Sequence, residues 1–97
     1  MRTITHGDVT AAARAVRPLP PAVRRRAVRS LLEKADAADR FRKRFGRAHP
    51  LWGNGSLMAV ALAAAAGREE PALSDRDYLE AMAAVIEALL DWRGGAR

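Results

Sequence analysis

The chain has 97 residues, 49% of them hydrophobic, with a formal net charge of +6 and a pI of about 11.2. That length suits a single small domain over 1–97, and that hydrophobic share excludes a disordered chain. Cysteine is absent, which excludes disulfides and thiolate metal sites and fits a reducing cytoplasm.

The opening "MRTITHGDV" has no apolar h-region, so it does not read as a signal peptide. Thr5 and Asp8 have capping-box spacing, which predicts a first helix from about His6 to Arg17. "RPLPP" ends it, because Pro18 disfavours helix at the residue before it.

Pro21 suits the first turn of a second helix and Gly46 suits its left-handed end. Val23, Ala27, Leu31, Ala35, Ala38, Phe41 and Phe45 recur at intervals of three and four, so this helix is expected to be long, amphipathic and about 25 residues in length. Arg25, Arg29, Asp36, Arg40, Lys43 and Arg47 follow the opposite side.

A third helix is expected to start within "GNGS" and to end at Gly67. Its interior is apolar and rich in alanine, which predicts a buried central element. The run from Leu57 to Ala66 has ten residues, too few for a membrane span of about 20. Ser74 and Asp77 repeat the capping spacing, and a fourth helix is expected to reach about Arg93. Its expected core stripe is Tyr78, Leu79, Met82, Val85, Ile86, Leu89 and Leu90. The expected fold is therefore all-α, a compact four-helix domain with a long basic second helix.

Charge is segregated. Residues 20–48 hold ten bases against three acids, a balance of +7, whereas residues 74–93 hold two bases against five acids, a balance of −3. Arg29 with Glu33, Asp36 with Arg40, and Asp39 with Lys43 stand at i,i+4, where each pair stabilises a helix by about 0.2–0.5 kcal/mol. Arg24, Arg25 and Arg26 at one end, and Arg42, Arg44 and Arg47 at the other, have no such local partner. With Arg40 and Lys43 they form a candidate basic patch. Fifteen of the 17 bases are arginine and 22 residues are alanine, a bias that a GC-rich genome also produces. Net charge therefore says more about partners than the choice of arginine does.

A basic surface raises the question of nucleic acid, where each neutralised phosphate adds affinity and salt dependence. The third helix carries Leu, Met, Val and Ala, which cannot read base edges by hydrogen bonding. Aromatic residues are only 5% of the chain, few for a single-strand binder. Non-specific backbone binding is the form of this reading that the sequence allows.

"AHPLWGNGSLM", residues 48–58, reads primarily as an architectural turn in which Trp52 anchors the corner to the core. Two functional readings stand beside it. Gly53, Asn54, Gly55 and Ser56 could free backbone N–H groups at a helix start, forming an anion nest near Arg47 and His49. Alternatively, Trp52 could centre a surface for a partner protein. The candidate binding residues are thus Arg42, Arg44, Arg47, His49, Trp52, Asn54 and Ser56. "GNGSLM" lacks the third glycine of a dinucleotide fingerprint, and no P-loop or nucleophile elbow is present. His6 and His49 are 43 residues apart in a chain without thiols, so no metal site is expected. No nucleophile–base pair or convergent carboxylates stand out, so neither enzyme activity nor a cofactor is expected.

"THGDVTAAARAV" together with "ADAADRFRKRFGRAHPLWGNGSLM" resembles a group of short, uncharacterised alphaproteobacterial proteins. These share an H-G-D opening and an H-P-x-W-G-x-G-S-L-M corner, here His49, Pro50, Trp52, Gly53, Gly55, Ser56, Leu57 and Met58. The resemblance implies a bacterial, cytoplasmic protein and transfers no activity. The expectation is a small non-enzymatic helical interaction protein that binds a protein partner or itself. The alternative is a non-specific nucleic-acid-binding accessory protein using the basic second helix. Neither reading involves a membrane.

Overall fold

Thr5 opens the first helix in the way its spacing with Asp8 predicts. Its hydroxyl oxygen accepts from Asp8 N, and the Asp8 carboxylate accepts from Thr5 N at 2.7 Å. Helix α1 (His6–Val16) follows in the computed structural model, which describes residues 2–65 and 68–94. Arg17 closes α1 with its N–H on Ala13 O. Pro21 then starts α2 (Pro21–Phe45), and Gly46, at φ 70°, ends it in the left-handed conformation that costs glycine least. Helix α3 spans Leu57–Ala65 and α4 spans Arg76–Arg93. The architecture is an all-α four-helix domain, and an isolated bridge between His49 and Gly53 is the one β-type pairing among the described residues.

The hub is α1. Its Ala11, Ala12 and Ala13 are fully buried and Val16 nearly so, because small side chains let three helices approach it closely. Helix α1 packs against α2, α3 and α4, whereas α3 and α4 have no contact with each other among the described residues. This corrects the expectation that α3 is the central element. In α3, Leu57, Val60, Ala61 and Ala65 face the core, while Leu62 and Ala63–Ala64 face outward. The expected end at Gly67 lies outside the described residues.

The fourth helix departs furthest from expectation. Its N-cap is Asp75, whose carboxylate accepts from Tyr78 N at 2.9 Å, in place of Ser74. Tyr78, Ala81, Ala84, Val85 and Ala88 are buried. Leu79, Ile86 and Leu90, expected in the core, face out with 47%, 48% and 67% exposure. Alanines at the contacts with α1 and α2 set the interhelical distance, so the larger aliphatics are turned away. On α2 the larger Val28, Leu31 and Leu32 are buried together with Ala35 and Ala38, whereas Phe45, expected in the stripe, is exposed.

The acidic start of α4 meets the basic start of α2. Arg24 is buried, donating to Leu19 O, Arg17 O and Asp77, while Arg17 pairs with Asp75 at 2.8 Å and Arg25 pairs with Asp91. Arg24 and Arg25 therefore do not belong to a free basic patch, as the sequence led us to expect. They join α1, α2 and α4. The Tyr78 N–H, and after it the Arg17 guanidinium, hold the Asp75 carboxyl below the usual carboxylate range. No described helix is long and apolar enough to cross a membrane.

Candidate functional site

The end of α2 and the turn that follows bring most of the predicted binding residues to one corner. Phe41 and Phe45, one helical turn apart, place their ring centroids 4.6 Å from each other. The left-handed Gly46 reverses the chain, so that His49 returns edge-on to Phe41 at 4.9 Å. His49 in turn stacks on Trp52 at 4.7 Å with only 7° between the planes. Four rings thus form a column: Phe45, Phe41, His49, Trp52.

The turn that holds the column is built from the histidine itself. His49 N donates to Gly53 O and Gly53 N donates to His49 O, at 2.8 and 3.1 Å. His49 Nδ1 accepts from the N–H groups of Leu51 and Trp52 at 3.0 and 3.1 Å, which requires that nitrogen to carry no proton. Gly53, at φ 79°, closes the loop. Trp52 is half-buried and packs against the core, as the architectural reading of this corner anticipated. Leu51 next to it is 76% exposed and Phe45 54% exposed.

Cations edge this column. The Arg44 guanidinium lies 5.5 Å from the Phe45 ring and that of Arg47 lies 5.9 Å from the Phe41 ring, both within cation–π range. Lys43 and Arg42 turn instead toward Asp39, at 3.1 and 3.8 Å, and Arg40 toward Asp36 at 3.6 Å. Arg26 is exposed, at the other end of α2, where a shallow groove of about 230 Å³ is lined by Arg25, Arg26, Arg29, Ala88 and Asp91. The two ends of the expected patch are therefore separate, and the C-terminal end sets cations beside the exposed Phe45 and Leu51.

Asn54 and Ser56 are placed differently from the anion nest that their sequence suggested. The Asn54 side-chain oxygen accepts from Ser56 N, and the Ser56 hydroxyl accepts from Ala59 N. Met58 N donates to Asp8 Oδ1 at 2.8 Å, so the start of α3 already has an anion, the chain's own carboxylate. Asp8 is buried, with one oxygen on Thr5 and the other on Met58. The H-G-D opening and the G-S-L-M corner are two halves of one contact. A Cβ on Gly7 would meet the Met58 methyl, the free end of a flexible side chain, at 2.5 Å, so Met58 would have to shift to admit it.

Sequence reasoning missed Asp39 altogether, placing it in a solvated i,i+4 pair. Its side chain is 1% exposed, beneath the backbone of Gly55. The Lys43 ammonium holds its carboxyl below the ordinary value of 3.8, against the opposing effect of burial. A depressed value stabilises the fold above pH 3.8, and that stability is lost as pH falls through the lower native value. Asp39→Asn should therefore flatten the loss of stability on acidification below about pH 4, leaving the slope contributed by Asp75. Urea unfolding at successive pH values measures both.

Among the described residues no group of three His, Cys, Asp or Glu stands close enough to hold a metal ion. Comparison with curated proteins and with solved structures finds no match. A family match does exist: residues 2–89 fit the domain of unknown function DUF7742, so both halves of the Asp8–Met58 contact and the aromatic corner fall inside it, and the chain belongs to that family.

Proposed function

We propose that this chain is a small, non-enzymatic helical interaction domain that binds an acidic segment of a protein partner in a bacterial cytoplasm. The observation that carries this reading is the corner of α2. Phe45 and Leu51 are large, apolar and more than half exposed, and Arg44 and Arg47 stand over the adjoining rings. Interface anchors are typically aromatic side chains and arginines packed together, surrounded by groups that exclude water. The rigid turn at His49–Gly53 presents the corner without an ordering cost on binding.

The same rings and cations support the second reading, non-specific binding of nucleic acid, in which bases stack on Phe45 and phosphates meet Arg44 and Arg47. Anisotropy of labelled single-stranded DNA, duplex DNA and RNA separates the two. Affinity that collapses between about 50 and 200 mM salt favours nucleic acid. Absence of binding at the lower salt favours the protein partner. The triple variant Phe45→Ala, Arg44→Glu, Arg47→Glu should abolish whichever binding exists. It should also change unfolding free energy by less than about 1 kcal/mol, because all three side chains are exposed. A partner captured equally by the triple variant would rule out the corner.

A further inference from the structure

Helix α4 carries a second exposed surface with apolar side chains along it, and its residue pattern names its occupant. Arg76, Leu79, Ala83, Ile86, Leu90 and Arg93 are all exposed and lie on its outward side, at successive intervals of 3, 4, 3, 4 and 3. That is the spacing of a coiled-coil seam. It also reads the same from either end, in spacing and in kind: arginine, leucine, a central Ala–Ile pair, leucine, arginine. A surface that is its own reverse is complementary to an antiparallel copy of itself, which is the condition for an isologous two-fold contact.

We infer that two copies of this chain pair through α4, antiparallel. Leu79 then packs on Leu90 of the second copy, and Ile86 fills the space above Ala83 of the second copy. At each end Arg76 lies beside Arg93 of the second copy, with Glu80, already 3.5 Å from Arg76 in its own chain, one turn inward of both. Per copy the seam and its margin hold Arg76 and Arg93 against Glu80 and Glu87, a neutral face on a chain of net charge +6. Two such chains repel one another across their basic surfaces, so the neutral face is where they can approach. An acidic partner would find its complement at the α2 corner and no cationic excess here.

The contact is one helix of 18 residues per copy, small beside the roughly 1,200–2,000 Å² of a standard interface. The dimer is correspondingly weak, with dissociation in the micromolar range. Its seam lies on α4 and the proposed partner site on α2 and its turn, so either can fail without the other.

Sedimentation velocity from about 1 μM to about 1 mM should show the mass rising from 10.5 kDa toward twice that value. Ile86→Glu should hold it at the monomer mass with unchanged helical circular dichroism. Because the chain has no cysteine, Leu79→Cys and Leu90→Cys can be made singly. Antiparallel pairing sets each position about 16 Å along the axis from its own copy and opposite the other. A mixture of the two variants should cross-link under air oxidation, and neither should do so alone. A mass that stays monomeric to 1 mM would overturn the inference. So would an Ile86→Glu variant that dimerises like the parent, or self-cross-linking of either variant as efficient as that of the mixture.

Discussion

Asp8→Ala is expected to lower the unfolding free energy by about 2–4 kcal/mol. Two losses add. Without the carboxylate the bond from Thr5 N, the reciprocal half of the capping box, is gone, which costs about 0.5–1.5 kcal/mol. Met58 N, at the start of α3, is then left without its acceptor in a part-buried position, which costs about 1–3 kcal/mol more. Thr5→Ala is the matched control, because it removes the capping hydroxyl and leaves the Asp8–Met58 bond in place. Thermal melts should therefore rank Asp8→Ala two- to three-fold more damaging than Thr5→Ala. Equal losses would show that the bond between the two helices contributes nothing.

Gly55→Ala should cost about 3 kcal/mol, for a reason distinct from capping. Gly55 sits at φ 99°, outside the range L-residues adopt readily, and an added Cβ would lie 2.7 Å from Asp39 Cα and Cβ. The obstacle is backbone, which cannot swing aside as a flexible side chain would. Overpacking of this kind costs about 1–3 kcal/mol beyond the conformational strain. Gly46→Ala separates the two effects, since Gly46 also has positive φ, at 70°, but nothing within 4 Å of its Cβ position. Gly46→Ala should cost about 1 kcal/mol. The difference between the variants in urea unfolding measures the close approach of the Gly55 backbone to α2.

Helix ends were legible in the sequence because they are local chemistry. Thr5 with Asp8, Pro21 and Gly46 each act on backbone groups within four residues, and the structure places all of them as their spacing predicts. Helix faces were less legible. In a chain with 22 alanines many close contacts go to alanine, so of the expected α4 stripe Tyr78 and Val85 are buried and Met82 and Leu89 pack against the core, while Leu79, Ile86 and Leu90 face out. Charges were misread for a related reason. Asp39 looks like a member of a solvated i,i+4 pair and Arg24 like part of a free basic run, and their burial depends on Gly55 and Asp77, residues 16 and 53 positions away. At the corner, the sequence drew attention to Trp52 and the glycines, whereas the exposed surface centres on Phe45 and Leu51. The signal was present in Phe41, Phe45 and His49 at four-residue intervals. It becomes a ring column only once Gly46 is known to reverse the chain.

The bond between Asp8 and Met58 has a consequence for synthesis. Helix α1 has 11 residues, below the roughly 12–15 at which an isolated helix becomes even marginal in water. Its alanine-lined surface is silent until other helices cover it, and the backbone group that its Asp8 holds lies 50 residues downstream. At about 5–20 residues per second, translation leaves this hub waiting several seconds for the element that locks it. A helix made before the three that cover it is thus among the last to settle. The long α2, 25 residues closed by its own Gly46, is the part of the nascent chain able to hold a helix in the meantime.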